Sequence, residues 1–222
     1  MSVAEAPGSP VATLTGAVVL VGGFPLLSGV DLTLAGGTVN VVTGANGAGK
    51  TSLLRLLGGL VALSRGEGRV CGVDLARGER LELRRRVGWL GHEGSFYDDL
   101  SAAENLTFAA RALARPVTGV AEVLERVHLS ARADTAAKRL SAGQRRRLGL
   151  AWLLLRRPQL WLLDEPYASL DVGGRSFFDG LVLDVAAAGA TVVVSAHDAL
   201  GVSSASSRTI RMAGGRVVED GS

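Results

Sequence analysis

The stretch GANGAGKTS, Gly44 to Ser52, lies between the β-branched run VNVV and the leucine-spaced LLRLLGGL. Its spacing is G-x-x-x-x-G-K-[ST], with Gly44, Gly49, Lys50 and Thr51 in the four fixed places. A loop of this kind requires a buried strand before it and a helix after it, and both flanking patterns are present. It therefore commits the chain to an α/β fold with parallel strands. Glycines let the backbone turn so that the N–H groups of Ala45, Asn46, Gly47, Ala48 and Gly49 point inward at an anion, and the helix starting near Gly49 aims its positive end at the same spot. Lys50 then reaches the β- and γ-phosphates of a nucleotide as a point charge, and the Thr51 hydroxyl is placed to ligate a bridging magnesium ion. Ser52 is a second candidate for these contacts. A glycine-rich turn that merely joins strand to helix has the same composition, but the flanking context favours the anion nest.

The second decisive segment is LWLLDEP, Leu160 to Pro166. Four apolar residues ending in an acidic pair describe a buried strand whose C-terminal edge delivers two carboxylates beside the glycine loop, where open α/β sheets bind ligands. Asp164 is expected to hold the magnesium through water, and Glu165 to orient and polarise the water attacking the γ-phosphate. Together with GANGAGKTS this is a matched Walker A and Walker B pair.

The rest of the chain fits around these two segments. At 222 residues it suits one domain, and aromatics of only 5% suit strands covered on both faces. The charge, 24 − 21 = +3, is mildly basic. The arginine runs 84–86 and 145–147 have acidic neighbours and no aromatic stacking set, so they read as solvated helix faces rather than a nucleic-acid patch. Cys71 has no Cys or His companion at metal spacing and reads as a small buried apolar residue in a reducing compartment. The apolar core of LGLAWLLL is about a third of the roughly 20 residues that spanning a bilayer needs, and the first residues do not resemble a signal peptide. Residues 1–11, small and Pro-containing, are expected to be mobile. From about residue 94 to 155 the leucine and alanine spacing is helical, an inserted block within the α/β core, and RTIRMAGGRVVEDG closes as a hairpin.

A third segment, LSAGQRRR from Leu140, narrows the class. Here the chain resembles the ABC-type ATPases, whose signature LSGGQ stands as Leu140-Ser141-Ala142-Gly143-Gln144, and the resemblance runs from about residue 12 to 222. It implies a P-loop NTPase core of ABC type with an antiparallel β subdomain and an inserted helical subdomain. It also implies that ASLD, ending at Asp171, and the switch histidine His197 in VVVSAHD belong to the ATP site. In that family the helix end at Ser141, Ala142, Gly143 and Gln144 closes over the γ-phosphate held by a second copy, with Asp171 meeting the partner's loop and His197 donating to the γ-phosphate. Two ATP molecules, each with Mg2+, then join a head-to-tail homodimer.

Two departures from the family pattern stand out. The Gln that normally touches magnesium falls, in VGWLGHEGS, on His92 with Glu93 beside it; either one reaches the metal, or His92 only fills the loop. The adenine-stacking aromatic falls on Val21, and the nearest ring is Phe24. GWLGHEGSFYDDLSAAENL, LSAGQRRRLGLAWLLL and LWLLDEP together look like the haem-exporter ATP-binding subunits of bacterial cytochrome c maturation. That resemblance implies separate transmembrane subunits as partners and a cytoplasmic, peripheral location on the inner face of the membrane. The alternatives are the ATPase subunit of another exporter, or a stand-alone ABC ATPase acting on ribosomes or nucleic acid. The latter usually carries two cassettes or a long coiled-coil insertion, and the sequence shows neither. A P-loop switch without hydrolysis is disfavoured by Glu165.

Overall fold

A computed structural model describes residues 10–91, 96–168, 170–196 and 207–221. His92, Glu93, His197 and residues 1–9 of the N-terminal segment lie outside the described residues. In chain order the elements are β1 (Pro10–Val21), β2 (Phe24–Ala35), β3 (Val39–Thr43), α1 (Lys50–Leu57), β4 (Arg65–Val70), β5 (Val73–Asp74), α2 (Arg80–Arg86) and β6 (Val87–Leu90). There follow α3 (Ala102–Ala112), α4 (Gly119–Arg126), α5 (Ala142–Arg156), β7 (Leu160–Asp164), α6 (Val172–Ala187), β8 (Thr191–Ser195), β9 (Ser207–Ala213) and β10 (Arg216–Gly221).

Every residue of VNVVT, LWLLD and TVVVS is buried, as parallel strands covered on both faces require. These strands form the centre of a six-stranded sheet of order β10-β9-β3-β8-β7-β6, parallel except for the β9/β10 hairpin. A second sheet, β2-β1-β4-β5, is antiparallel. Alternation along the central strands divides the core in two. Val39, Val41, Trp161, Leu163, Val192 and Val194 pack with the buried faces of α3–α6. Val42, Leu160, Leu162 and Val193 pack on the other side with α1 and the antiparallel sheet. Burying one leucine fully contributes about 1.5–3 kcal/mol. The α5 residues Leu148, Leu153, Leu154 and Leu155 thus tie the helical block to the sheet.

The composition of GGFPLLSG predicts a loop, but only Gly22 and Gly23 turn. Phe24 opens β2 opposite Val21, and Pro25 is tolerated because β2 is an edge strand. β1 begins at Pro10, inside the segment expected to be mobile.

Helix α3 starts with a capping box: Ser101 Oγ accepts the Glu104 N–H at 3.2 Å and Glu104 Oε2 accepts the Ser101 N–H at 2.8 Å. Ser101→Ala is expected to cost about 1 kcal/mol, lowering the Tm by about 2–4 °C. Calorimetry of the two proteins checks this, and an equal Tm would show that the cap contributes nothing.

The arginine runs separate in the structure. Arg84 and Arg85 are exposed at the end of α2, as a solvated face should be. Arg145–Arg147 are not such a face, because α5 packs them inward. Arg145 pairs with Asp98 at 2.9 Å, Arg146 donates to the Gly91 carbonyl at 2.8 Å, and Arg147 lies over the Phe177 ring at 5.0 Å.

Candidate functional site

The glycine loop leaves the C-terminal end of β3 and enters α1 at Lys50. Gly44 has φ 142°, and a Cβ there would sit 2.3 Å from the Met212 carbonyl oxygen. Gly49 has φ 104°, and a Cβ there would be 3.2 Å from Leu26 O and from Gly215 Cα. Both the backbone angle and the space demand glycine at these two positions. The loop is braced from behind by the turn between β9 and β10. The Gly215 N–H donates to Ala48 O at 3.0 Å, and Gly215 O accepts the Ser28 N–H at 2.9 Å. Residues Thr43–Ala48 and Arg211–Gly214 line a cleft of about 550 Å3. Lys50 is 5% exposed, its Nζ donating to Gly44 O at 2.7 Å and Ala45 O at 3.1 Å. A buried ammonium held by carbonyl dipoles is a strong attractor for phosphate charge. Thr51 and Ser52 follow it on the first turn of α1, both half-buried.

The β7 edge brings the carboxylates beside this loop. Asp164, 9% exposed, accepts at Oδ1 from Thr51 Oγ1 at 3.1 Å and from Ser195 Oγ at 2.7 Å. Ser195 Oγ in turn accepts the Glu165 N–H at 2.8 Å. Glu165 adopts φ 47°, a left-handed conformation that costs a non-glycine residue about 1–2 kcal/mol. Such strain is held where the surroundings over-determine the backbone, and it gathers at functional sites. Burial depresses the Arg146 guanidinium's pKa, while the negative charges of Asp164 and Glu165 work in the opposite direction, placing a cation in their field. Beyond Pro166, the Tyr167 hydroxyl donates to Asp179 of α6 at 2.6 Å, and burial raises both pKa values. The chain after Glu165 is thereby anchored to a helix.

The remaining sequence-derived candidates stand apart from the cleft. Ser141 caps α5 through a capping box, accepting the Gln144 N–H at 3.2 Å while Gln144 Oε1 accepts the Ser141 N–H at 3.0 Å. Ser141 and Ala142 are exposed, and no atom comes within 4 Å of a Cβ built at Gly143, so this helix end is open. Asp171 caps α6 by accepting the Gly174 N–H at 2.7 Å. Phe24, 76% exposed, projects from the hairpin directly across from Val21 and is not part of the cleft lining. Sequence reasoning overlooked Ser195, Arg146 and residues 211–214. A serine closing the run TVVV is the one local signal for the first; nothing local distinguishes the other two.

The family profile described as "ABC transporter" matches residues 27–168, a span that holds the glycine loop, the signature and the acidic pair. The chain belongs to the ABC transporter family. It is 41% identical over 193 residues to the cytochrome c biogenesis ATP-binding export protein CcmA of Bradyrhizobium diazoefficiens, covering 87% of this chain and 93% of that protein. The protein of the same name from Nitrobacter winogradskyi is 38% identical over 194 residues, with the same coverage. Among solved structures, a dimeric post-hydrolysis state of an ATP-binding cassette bound to ADP and Pi superposes with TM-score 0.85 at 24% identity, covering 94% of this chain and 97% of that one. An ABC transporter cassette in its ADP conformation gives TM-score 0.83 at 22% identity, covering 96% and 91%. These likenesses establish the ABC cassette fold. As an ABC ATPase the chain binds nucleotide and is the ATP-hydrolysing subunit of a transporter, a class that acts with transmembrane partners. No helix among its described residues is long and apolar enough to cross a membrane.

Proposed function

We propose that this ABC ATPase drives an exporter of the cytochrome c maturation type, as its likeness to cytochrome c biogenesis ATP-binding export proteins supports, and that its ATP turnover releases haem at the membrane, as the resemblance of its sequence to haem-exporter subunits implies. The single observation that carries the chemistry is the convergence of Thr51, Asp164, Ser195 and Glu165 at the strand ends beside the glycine loop. Residues 44–49 hold the triphosphate through backbone N–H groups, and Lys50 gives up its carbonyl contacts to neutralise phosphate charge. Thr51 and Asp164, held together by the 3.1 Å bond from Thr51 Oγ1 to Asp164 Oδ1, form an oxygen-only donor set that suits Mg2+. Mg2+ held by these residues would supply charge neutralisation to the phosphate oxygens. Glu165 orients the attacking water and takes its proton, His197 donates to the γ-phosphate, and His92 or Glu93 supplies the remaining metal contact in place of the family's Gln. Phe24, across from the vacant aromatic position at Val21, is the nearest ring to adenine; lying outside the cleft lining it stacks weakly, and the phosphates supply most of the binding.

The open end of α5 at Ser141–Gln144, together with Asp171, supports a head-to-tail homodimer in which each copy completes the other's ATP site. Separate transmembrane subunits carry the membrane function, with this chain peripheral on their cytoplasmic side. Purification of the full chain from detergent-solubilised membranes tests the reading. Integral membrane proteins of cytochrome c maturation are expected to co-elute and to stimulate ATP hydrolysis; co-elution with ribosomes or nucleic acid instead would overturn it.

A further inference from the structure

We propose that Ser195 is a positioning residue for ATP hydrolysis, a hydroxyl that ties the metal-side carboxylate of Asp164 to the backbone of Glu165. The inference rests on the roles proposed above for Asp164 and Glu165. Ser195 ends β8, is fully buried, and stands in register with Asp164 across the β7/β8 pair. A serine hydroxyl has one proton to give and lone pairs to receive. The proton goes to Asp164 Oδ1 at 2.7 Å, a charge-assisted bond, and a lone pair takes the Glu165 N–H at 2.8 Å.

Each bond has a separate consequence. Thr51 also donates to Asp164 Oδ1, so this oxygen is doubly held. Among the described residues Asp164 Oδ2 accepts no such bond, and that oxygen is left for the metal's shell. Thr51 keeps its own lone pairs for the same ion, because its proton is already committed. The second bond fixes the backbone of Glu165 in its left-handed conformation at φ 47°, which aims the following side chain. Removing the hydroxyl leaves the Asp164 carboxylate with only its Thr51 partner on Oδ1 and takes this acceptor from the Glu165 N–H. The nucleotide itself is held by residues 44–50, whereas the Ser195 hydroxyl bonds Asp164 and Glu165.

The test compares Ser195→Thr with Ser195→Val, two β-branched side chains of one shape that differ in the hydroxyl. In the full chain, Ser195→Val is expected to lower kcat by about 10–100-fold, the usual cost of losing a partner that orients a metal ligand. KM for ATP should stay within about twofold, because uniform binding is untouched. Mn2+ uptake by the ADP-loaded chain, followed by electron paramagnetic resonance, should weaken by about tenfold. Ser195→Thr should restore both. Equal kcat and Mn2+ uptake in the two variants, whether both high or both low, would overturn the role of the hydroxyl. So would a Ser195→Val loss of ATP affinity and Tm in proportion to kcat, which marks a merely structural part. Glu165→Gln measured alongside keeps the two readings separable. If it hydrolyses ATP at the wild-type rate, the assignment of Glu165 fails and takes the Ser195 proposal with it. If it is inactive while Ser195→Val is fully active, only the Ser195 proposal fails.

Discussion

Glu165→Gln is expected to keep ATP bound while lowering turnover by at least ~10²-fold, the typical cost of losing a general base. The substitution preserves shape and the ability to orient water but removes the site that takes the proton. The loop from Gly44 to Lys50, to which phosphate binding is assigned above, joins β3 to α1 rather than leaving β7. Binding and chemistry should therefore come apart. Equilibrium titration with a fluorescent ATP analogue reads the first and single-turnover phosphate release the second. Size-exclusion chromatography of the variant with ATP should also show a stable dimer, since closure persists when hydrolysis does not reopen it. Turnover at the wild-type rate would remove Glu165 from the chemistry.

The second large effect concerns the open end of α5. Ser141 and Gln144 satisfy each other within one capping box, and neither lines the cleft formed by Thr43–Ala48 and Arg211–Gly214. On the proposed head-to-tail reading, that helix end meets the phosphates held by another copy. Ser141→Arg places a bulky side chain there and is expected to abolish dimerisation and hydrolysis while ATP binding to the monomer stays within about twofold, a block by bulk. Loss of the cap costs about 1 kcal/mol, which a Ser141→Ala control separates from the steric effect. Mixing with Lys50→Ala protein sharpens the result. In the mixed dimer one site carries both defects and the other carries neither, so partial recovery of ATPase activity shows composite sites that fire independently, and none shows that both must fire. A Ser141→Arg chain that hydrolyses ATP at the wild-type rate would end the composite-site reading.

What the sequence could and could not disclose follows from the range of the interactions. GANGAGKTS and LWLLDEP are legible because each carries its whole local requirement, strand, turn and polar terminus, within about ten residues of chain. The helical block is legible from its spacing for the same reason, and its buried leucines do pack on the sheet. Phe24 is misread because a Gly-Pro-rich stretch predicts a loop, whereas pairing with β1 carries the strand back almost to the turn. Arg145–Arg147 are misread because a basic run looks solvated until Asp98, Gly91 and Phe177 arrive from elsewhere in the chain. Ser195 is invisible for a related reason: its two partners lie 30 and 31 positions away and become neighbours only through the register of β7 with β8.

The bond from the Gly215 N–H to Ala48 O joins parts of the chain made at very different times. Synthesis runs from the N-terminus at about 5–20 residues per second, and a domain generally folds as a unit. A nascent chain paused after β8 holds all the letters of the nucleotide loop and none of the hairpin that braces it. Met212 and Gly215, which close on Gly44, Ala48 and Gly49, are still to come. The braced form of the nucleotide loop is therefore available only once residues 207–216 have been translated.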